Sequence, residues 1–245
     1  MILDAGSGLV GLGAGAAGNA DLLLSHTHLD HICGLPFFAP LFQPGNAIRI
    51  WSGHLPPGDS IEAVLRTSMT PPLMPDMVRL IRARVSYRDF TAGDVLDLGG
   101  GVTVRTAMLR HPGGCVGYRI EWSGRAMVYA TDTSHGDEAT DAALRDLCQD
   151  AGLLIYDAML TDEEFPARAR WGHSTWPVGV RLANDSGVGR LVLFHHAPLR
   201  DDRAVAALAA EAASVRPGTV AAREGMVLTV PRSPWAPKRG TARGS

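Results

Sequence analysis

Short apolar runs, each closed by Gly, Pro, Asn or a charged residue, recur along the chain. That is the pattern of buried strands bounded by turns. Strands are expected at Asp21–Ser25 (DLLLS), Ala47–Trp51, Val102–Leu109, Cys115–Trp122, Ala126–Ala130, Leu153–Tyr156, Leu191–Phe194 and Met226–Val230. Apolar residues at helical spacing predict helices over Ser60–Thr67, Asp76–Arg84, Asp137–Ala151, Thr175–Ser186 and the alanine-rich Asp201–Val215. Pro177 suits a first helical turn. Strands pair first and then alternate with helices, which fits a layered α/β or α+β sandwich.

The apolar start (MILDAGSGLVGLGAGAAGNADLLL) is expected to be a strand end followed by a Gly-rich loop. No Lys or Arg precedes Arg49, which argues against an export signal. Asp4 and Asp21 bracket sixteen residues, six of them Gly, too few and too helix-poor to cross a bilayer. No Gly-Lys-Ser/Thr follows, which argues against a phosphate-cradling loop. Residues 1–232 are expected to form one domain, and the Pro-, Gly- and Arg-rich 233–245 a mobile tail.

The chain has 245 residues, 46% of them hydrophobic, enough for a sizeable core. Lys+Arg number 23 against 25 Asp+Glu, for a net charge of −2, which speaks against a protein that blankets a phosphate backbone with positive charge. Three scattered cysteines, Cys33, Cys115 and Cys148, form no CxxC pair, so a reduced, cytoplasmic protein is expected.

Candidate chemistry lies where the apolar runs stop. Ser25-His26-Thr27-His28-Leu29-Asp30-His31 follows DLLLS, His111 follows VTVRTAML, and Asp132 follows AMVYA. Asp157 follows LLIY, and His195-His196 follow LVLF. Imidazoles and carboxylates gathered at strand ends are ligands for zinc-like divalent ions. His54 and His135 are expected at the surface or rim.

His26-Thr27-His28-Leu29-Asp30-His31 is an HxHxDH motif, and with His111, Asp132 and His195 in order the chain resembles the metallo-β-lactamase-fold hydrolases. The resemblance implies an α+β, αββα four-layer sandwich with two divalent metal ions, zinc first and Mn or Fe as alternatives. It gives His26, His28 and His111 to one ion, Asp30, His31 and His195 to the other, and Asp132 as the bridge. His195 is favoured over His196 because it directly follows the strand, three residues before Pro198. The family's usual N-terminal hairpin has no counterpart before Met1-Ile2-Leu3, and a homodimer covering the exposed edge is the expected consequence.

Asp132, with Asp157 and the Gly172-His173-Ser174-Thr175 segment, resembles the phosphodiesterase branch. The resemblance implies a hydrolase that attacks a small cyclic or linear phosphodiester with a metal-bridging hydroxide. Asp30 would orient the attacking water, and His173, supported by Asp157, would protonate the leaving group. A lactonase or thioesterase is the alternative enzyme, and a non-catalytic metal-binding module the alternative of another class. Only HPGGCVGYRIEWSGRAMVYAT separates His111 from Asp132, which leaves no room for a basic RNA-binding arm. A tRNA partner is therefore expected to be unlikely, and no membrane partner is expected.

Overall fold

The structure, a computed structural model, describes residues 1–13 and 18–232. The expected tail at 233–245 lies outside the described residues, as does part of the Gly-rich segment. The described residues form two sheets and seven α-helices, as the expected α+β class requires. The chain folds as two compact units, Met1–Asp94 with Ala107–Val116, and Val95–Thr106 with Gly117–Ser245.

The first unit holds a four-stranded parallel sheet in the order β1 (Ile2–Leu3), β2 (Ala20–Leu24), β3 (Ala47–Ser52) and β4 (Arg84–Asp89). Leu22, Leu23 and Leu24 are all buried, a run without alternation that marks an inner strand covered on both faces. Leu22, Leu24, Ile48 and Ile50 pack with Ile61 and Leu65 of α3 (Ile61–Ser68) and with Leu35, Phe38 and Leu41. Each such side chain is worth about 1.5–3 kcal/mol relative to exposure. Ser60 caps α3 by accepting from the Glu62 amide at 3.2 Å. The segment after β1 is not wholly a loop, because Gly8–Gly13 forms the short helix α1. A second short helix, α2 (Leu29–Ile32), begins inside the histidine motif.

The sheet of the second unit runs β11 (Val220–Ala221), β10 (Arg190–Phe194), β9 (Leu153–Asp157), β8 (Arg125–Ala130), β7 (Cys115–Trp122), β6 (Val102–Leu109) and β5 (Val95–Gly99). β8 to β11 are mutually parallel. The crossovers are helical: α4 (Glu138–Cys148) follows β8, α5 (Phe165–Arg168) and α6 (Trp176–Asp185) follow β9, and α7 (Asp202–Val215) follows β10. Asp137 and Asp201 cap α4 and α7 through the Thr140 and Ala204 amides. Among the described residues no helix is long and apolar enough to cross a membrane.

Two expected elements are absent. Asp76–Arg84 forms only a 3₁₀ turn at Val78–Leu80, after which the chain turns into β4. The Arg82 and Ala83 amides both donate to the Leu41 carbonyl, and Arg84 pairs with Ala47, so long-range pairing overrides the local helical spacing. Met226–Val230 forms no strand: Val227 is 93% exposed and Pro231 follows without an N–H. The last strand lies earlier, at Val220–Ala221, parallel to β10.

Gly34 shows how tightly α2 is joined to the chain after β1. Its amide donates to the Ala5 carbonyl, and a Cβ there would sit 2.1 Å from the Gly6 carbonyl oxygen. Backbone would have to move, so Gly34→Ala is expected to lower unfolding free energy by about 2 kcal/mol or more, read from urea denaturation.

Candidate metal centre

In the first unit the strand register delivers the ligands. Leu3 pairs with Leu23, so the next residue, Asp4, lies beside the end of β2. Its Oδ1 accepts from the Ser25 amide at 2.6 Å, and its Oδ2 accepts from Ser25 Oγ at 2.8 Å and His31 Nδ1 at 2.8 Å. Ser25 Oγ spends its only proton on Asp4, so at 3.1 Å it accepts from His26 Nδ1–H. One buried carboxylate therefore holds the Nδ1 protons of both His26 and His31, directly in one case and through a hydroxyl in the other. Both rings are left with Nε2 as the atom that can bind a cation.

One ring nitrogen from each of His26, His28 and His111 lies within 4.8 Å of the others. His28 Nδ1 and His111 Nε2 are 3.1 Å apart. Two nitrogens bound to one tetrahedral zinc would stand about 3.3 Å apart, so this trio fits such an ion in geometry and donor type. His31 Nε2 lies 3.3 Å from Oδ2 of Asp30, whose side chain is mostly exposed. The turn at Gly113 and Gly114, with φ of +83° and +84°, follows His111 and suits only glycine.

The second unit gathers Asp132, Asp157, His173 and His195. Ala130 pairs with Tyr156, and Asp157 pairs with Phe194, so Asp132, Asp157 and His195 leave the carboxyl ends of three adjacent parallel strands. Asp132 Oδ1 is 3.4 Å from His195 Nε2, and Asp132 Oδ2 accepts from Thr131 Oγ1 at 2.5 Å. His173 Nδ1 donates to Asp157 Oδ2 at 2.8 Å, and its ring stacks on His195 with centroids 5.0 Å apart. Asp157 Oδ1 accepts from the Met159 and Ser174 amides at 3.0 and 3.2 Å. His196 is outside this group and lines a groove along α7 and residues 219–226, where burial lowers its pKa.

Asp4, Asp132 and His195 have φ of 57°, 50° and 55°, in the left-handed region that non-glycine residues seldom occupy. Such strain is characteristic of functional positions.

Two histidines differ from expectation. His54 is 6% exposed and is not a rim residue, and it links Ser52 Oγ to Thr27 Oγ1, each 3.0 Å from a ring nitrogen. Its hydrogen bond fastens the residue between His26 and His28. His135 is partly buried and bonded to Asp141 and Tyr156. Asp4 carried no expected role, although it stands at the end of the first apolar run.

Burial lowers the His54 pKa to about 4, against the opposing pull of Asp4. An unfolded chain takes that proton near 6.5, so stability from a neutral His54 is complete above 6.5 and is lost as pH falls toward 4. His54→Gln should therefore show a shallower fall in urea stability across that window than the wild-type protein. Asp4→Asn replaces an acceptor with a donor, so either Ser25 N–H or His31 Nδ1–H meets an N–H. Zinc affinity is expected to drop about 10- to 100-fold in chelator competition.

The model of the beta-lactamase superfamily domain matches residues 12–196. A ribonuclease Z of Mycobacterium avium is 26% identical over 227 residues, covering 81% of this chain and 76% of that protein. A ribonuclease Z of Gemmatimonas aurantiaca is 40% identical over 102 residues, 42% of this chain and 31% of that protein. Among solved structures, the metallo-beta-lactamase fold protein YhfI of Bacillus subtilis has a TM-score of 0.68 at 23% identity, covering 92% of this chain and 85% of that one. A diphosphatase of the PhnP family has a TM-score of 0.67 at 19% identity, covering 94% and 80%. The short form of human tRNase Z has a TM-score of 0.63 at 21% identity, covering 94% and 87%. Relatives named for RNA cleavage overturn the expectation that tRNA is an unlikely partner: a short connection between His111 and Asp132 removes one possible arm, not every RNA-binding surface. With three quarters of its length matched by the superfamily model, and with the two-sheet architecture to go with it, this chain belongs to the beta-lactamase superfamily.

Proposed function

We propose that this chain is a dinuclear metal-dependent phosphodiesterase, carried by residues 1–232. His26, His28 and His111 would hold one divalent ion, Asp30, His31 and His195 the other, and Asp132 would be shared. Zinc is the first choice, with Mn or Fe as alternatives. The reading is supported by superfamily membership, by relatives named ribonuclease Z, and by an imidazole and carboxylate donor set suited to such ions. Bound divalent ions supply Lewis acidity and make a water acidic enough to attack near neutral pH.

The observation that carries the reading is the His173–Asp157 pair beside Asp132 and His195. A site for binding alone has no use for it. Asp157 keeps the Nδ1 proton of His173, so the proton His173 can release is the one on Nε2. Released as the P–O bond breaks, that proton neutralises the departing alkoxide. Asp30 accepts a hydrogen bond from the attacking water and orients it. Asp157 itself is steadied by two backbone amides, so it holds its own position as well as the ring's.

The substrates proposed are phosphodiesters, either small cyclic or linear ones or the bond within an RNA strand. The cytoplasm is the proposed location, in keeping with Cys33, Cys115 and Cys148 forming no disulfide.

Metal-loaded protein should hydrolyse bis-nitrophenyl phosphate, and a panel of cyclic phosphates and a tRNA precursor should rank its substrates. Turnover of a simple lactone with none of any phosphodiester would overturn the reading. His173→Ala should slow a phosphodiester with an alkoxide leaving group by about 100-fold or more while leaving nitrophenolate release much less affected. Equal losses on both would remove His173 from the acid role.

A further inference from the structure

Beyond His173 and Asp157, the second unit contains a line of polar side chains that the proposed reaction does not use. Asp141 Oδ2 accepts from the Gly136 amide at 3.0 Å, and its Oδ1 lies 3.1 Å from His135 Nδ1. His135 Nε2 meets the Tyr156 hydroxyl, and that hydroxyl lies 2.9 Å from Ser174 Oγ. Ser174 then returns to the site through its amide, which donates to Asp157 Oδ1.

The direction of every bond follows from which groups keep their protons. Burial lowers the His135 pKa, and Asp141, the nearest opposing influence, accepts from Nδ1–H, so neutral His135 presents Nε2 as an acceptor. Burial raises the Tyr156 pKa well above the usual phenol value, so Tyr156 keeps its O–H and donates it to His135. Its oxygen is then free to accept from Ser174 Oγ–H. Tyr156 is 0% exposed, and a buried hydroxyl left without a partner is costly, which holds the arrangement in place.

Packing leaves the ring no alternative. A Cβ on Gly179 of α6 would come within 2.6 Å of Tyr156 Cδ1, so the helix backbone lies directly on the phenol. The Ser174 carbonyl is pinned as well, accepting from the Leu160 amide at 3.0 Å. Gly172, at φ +84°, makes the turn that brings His173 and Ser174 to these partners.

We propose that Asp141, His135, Tyr156 and Ser174 form a positioning relay that fixes the orientation and tautomer of the His173–Asp157 pair and so governs protonation of the leaving group. The proposal rests on the acid role given above to His173. These four are positioning residues, with Ser174 the link that joins the relay to Asp157.

The test compares metal-loaded wild-type protein with Tyr156→Phe, which keeps the ring and removes the O–H. Turnover of an alkoxide-leaving phosphodiester should fall about 10-fold, with KM and nitrophenolate release within about twofold of wild type. Independently of turnover, ¹⁵N NMR of histidine-labelled protein should show the His173 proton resident on Nδ1 in the wild type and divided between the two nitrogens in the variant. Equal losses on both substrates, or an unchanged His173 tautomer, would overturn the relay. Should Tyr156→Phe not fold, Ser174→Ala, which keeps the amide to Asp157, carries the same two readouts. Wild-type protein inactive on every phosphodiester would defeat the proposed function, while the NMR comparison would still decide the relay.

Discussion

An imidazole binds a cation only through a nitrogen that carries no proton, so a histidine site depends on whatever holds the proton of the other nitrogen. Asp4 performs this for two rings, for His31 directly and for His26 through Ser25 Oγ. Asp157 performs it for His173. Each carboxylate is buried and accepts from main-chain donors, Asp4 from the Ser25 amide and Asp157 from the Met159 and Ser174 amides. A buried charge without such donors would be neutralised instead. Folding and ligand preparation are therefore the same event at these positions: the main-chain donors that make the carboxylates tolerable are the ones that fix the tautomers.

The strands bear the cost of this arrangement. Asp4, Asp132 and His195 each leave a strand in the left-handed region, at a penalty of about 1–2 kcal/mol apiece. Two places before Asp132 and His195, Ala130 and Leu193 have almost no exposure, and Leu3, before Asp4, is half-buried. Their burial outweighs the local strain, and the turn aims the next side chain off the end of the sheet rather than along it. Ser123 and Asp150 share the left-handed conformation, and of the candidate ligands only Asp132 and His195 adopt it.

Most of this could be read in advance because the relevant signal was local. DLLLS followed by His-Thr-His-Leu-Asp-His declares both a strand and its chemistry within eleven residues, and the structure places β2 and the motif there. Asp157 and His173 were legible as a pair only through the resemblance to the phosphodiesterase branch, and the structure joins them at 2.8 Å. What escaped was non-local. Asp4 acts on residues twenty-one and twenty-seven positions away, and only the β1–β2 register brings them together. His54 resembled a surface histidine among Pro and Gly, yet β3 runs parallel to β2 and delivers it to Thr27. Asp76–Arg84 had helical spacing, but β3 offered an open edge, and pairing across it outweighed a weak local preference.

The misjudged RNA partner has a different origin. A net charge of −2 is a sum over the whole chain, whereas a polyanion responds to the field over a short stretch of surface. Arg79, Arg82, Arg84 and Arg88 are all exposed within ten residues, and the sum conceals them. The same distinction separates chemistry from substrate choice. Asp132, Asp157 and His195 are placed by strand register, which tolerates little change, while surface segments can vary without disturbing any strand. A missing arm therefore bears on how a large substrate would be gripped and is silent on whether the bond within it can be cut.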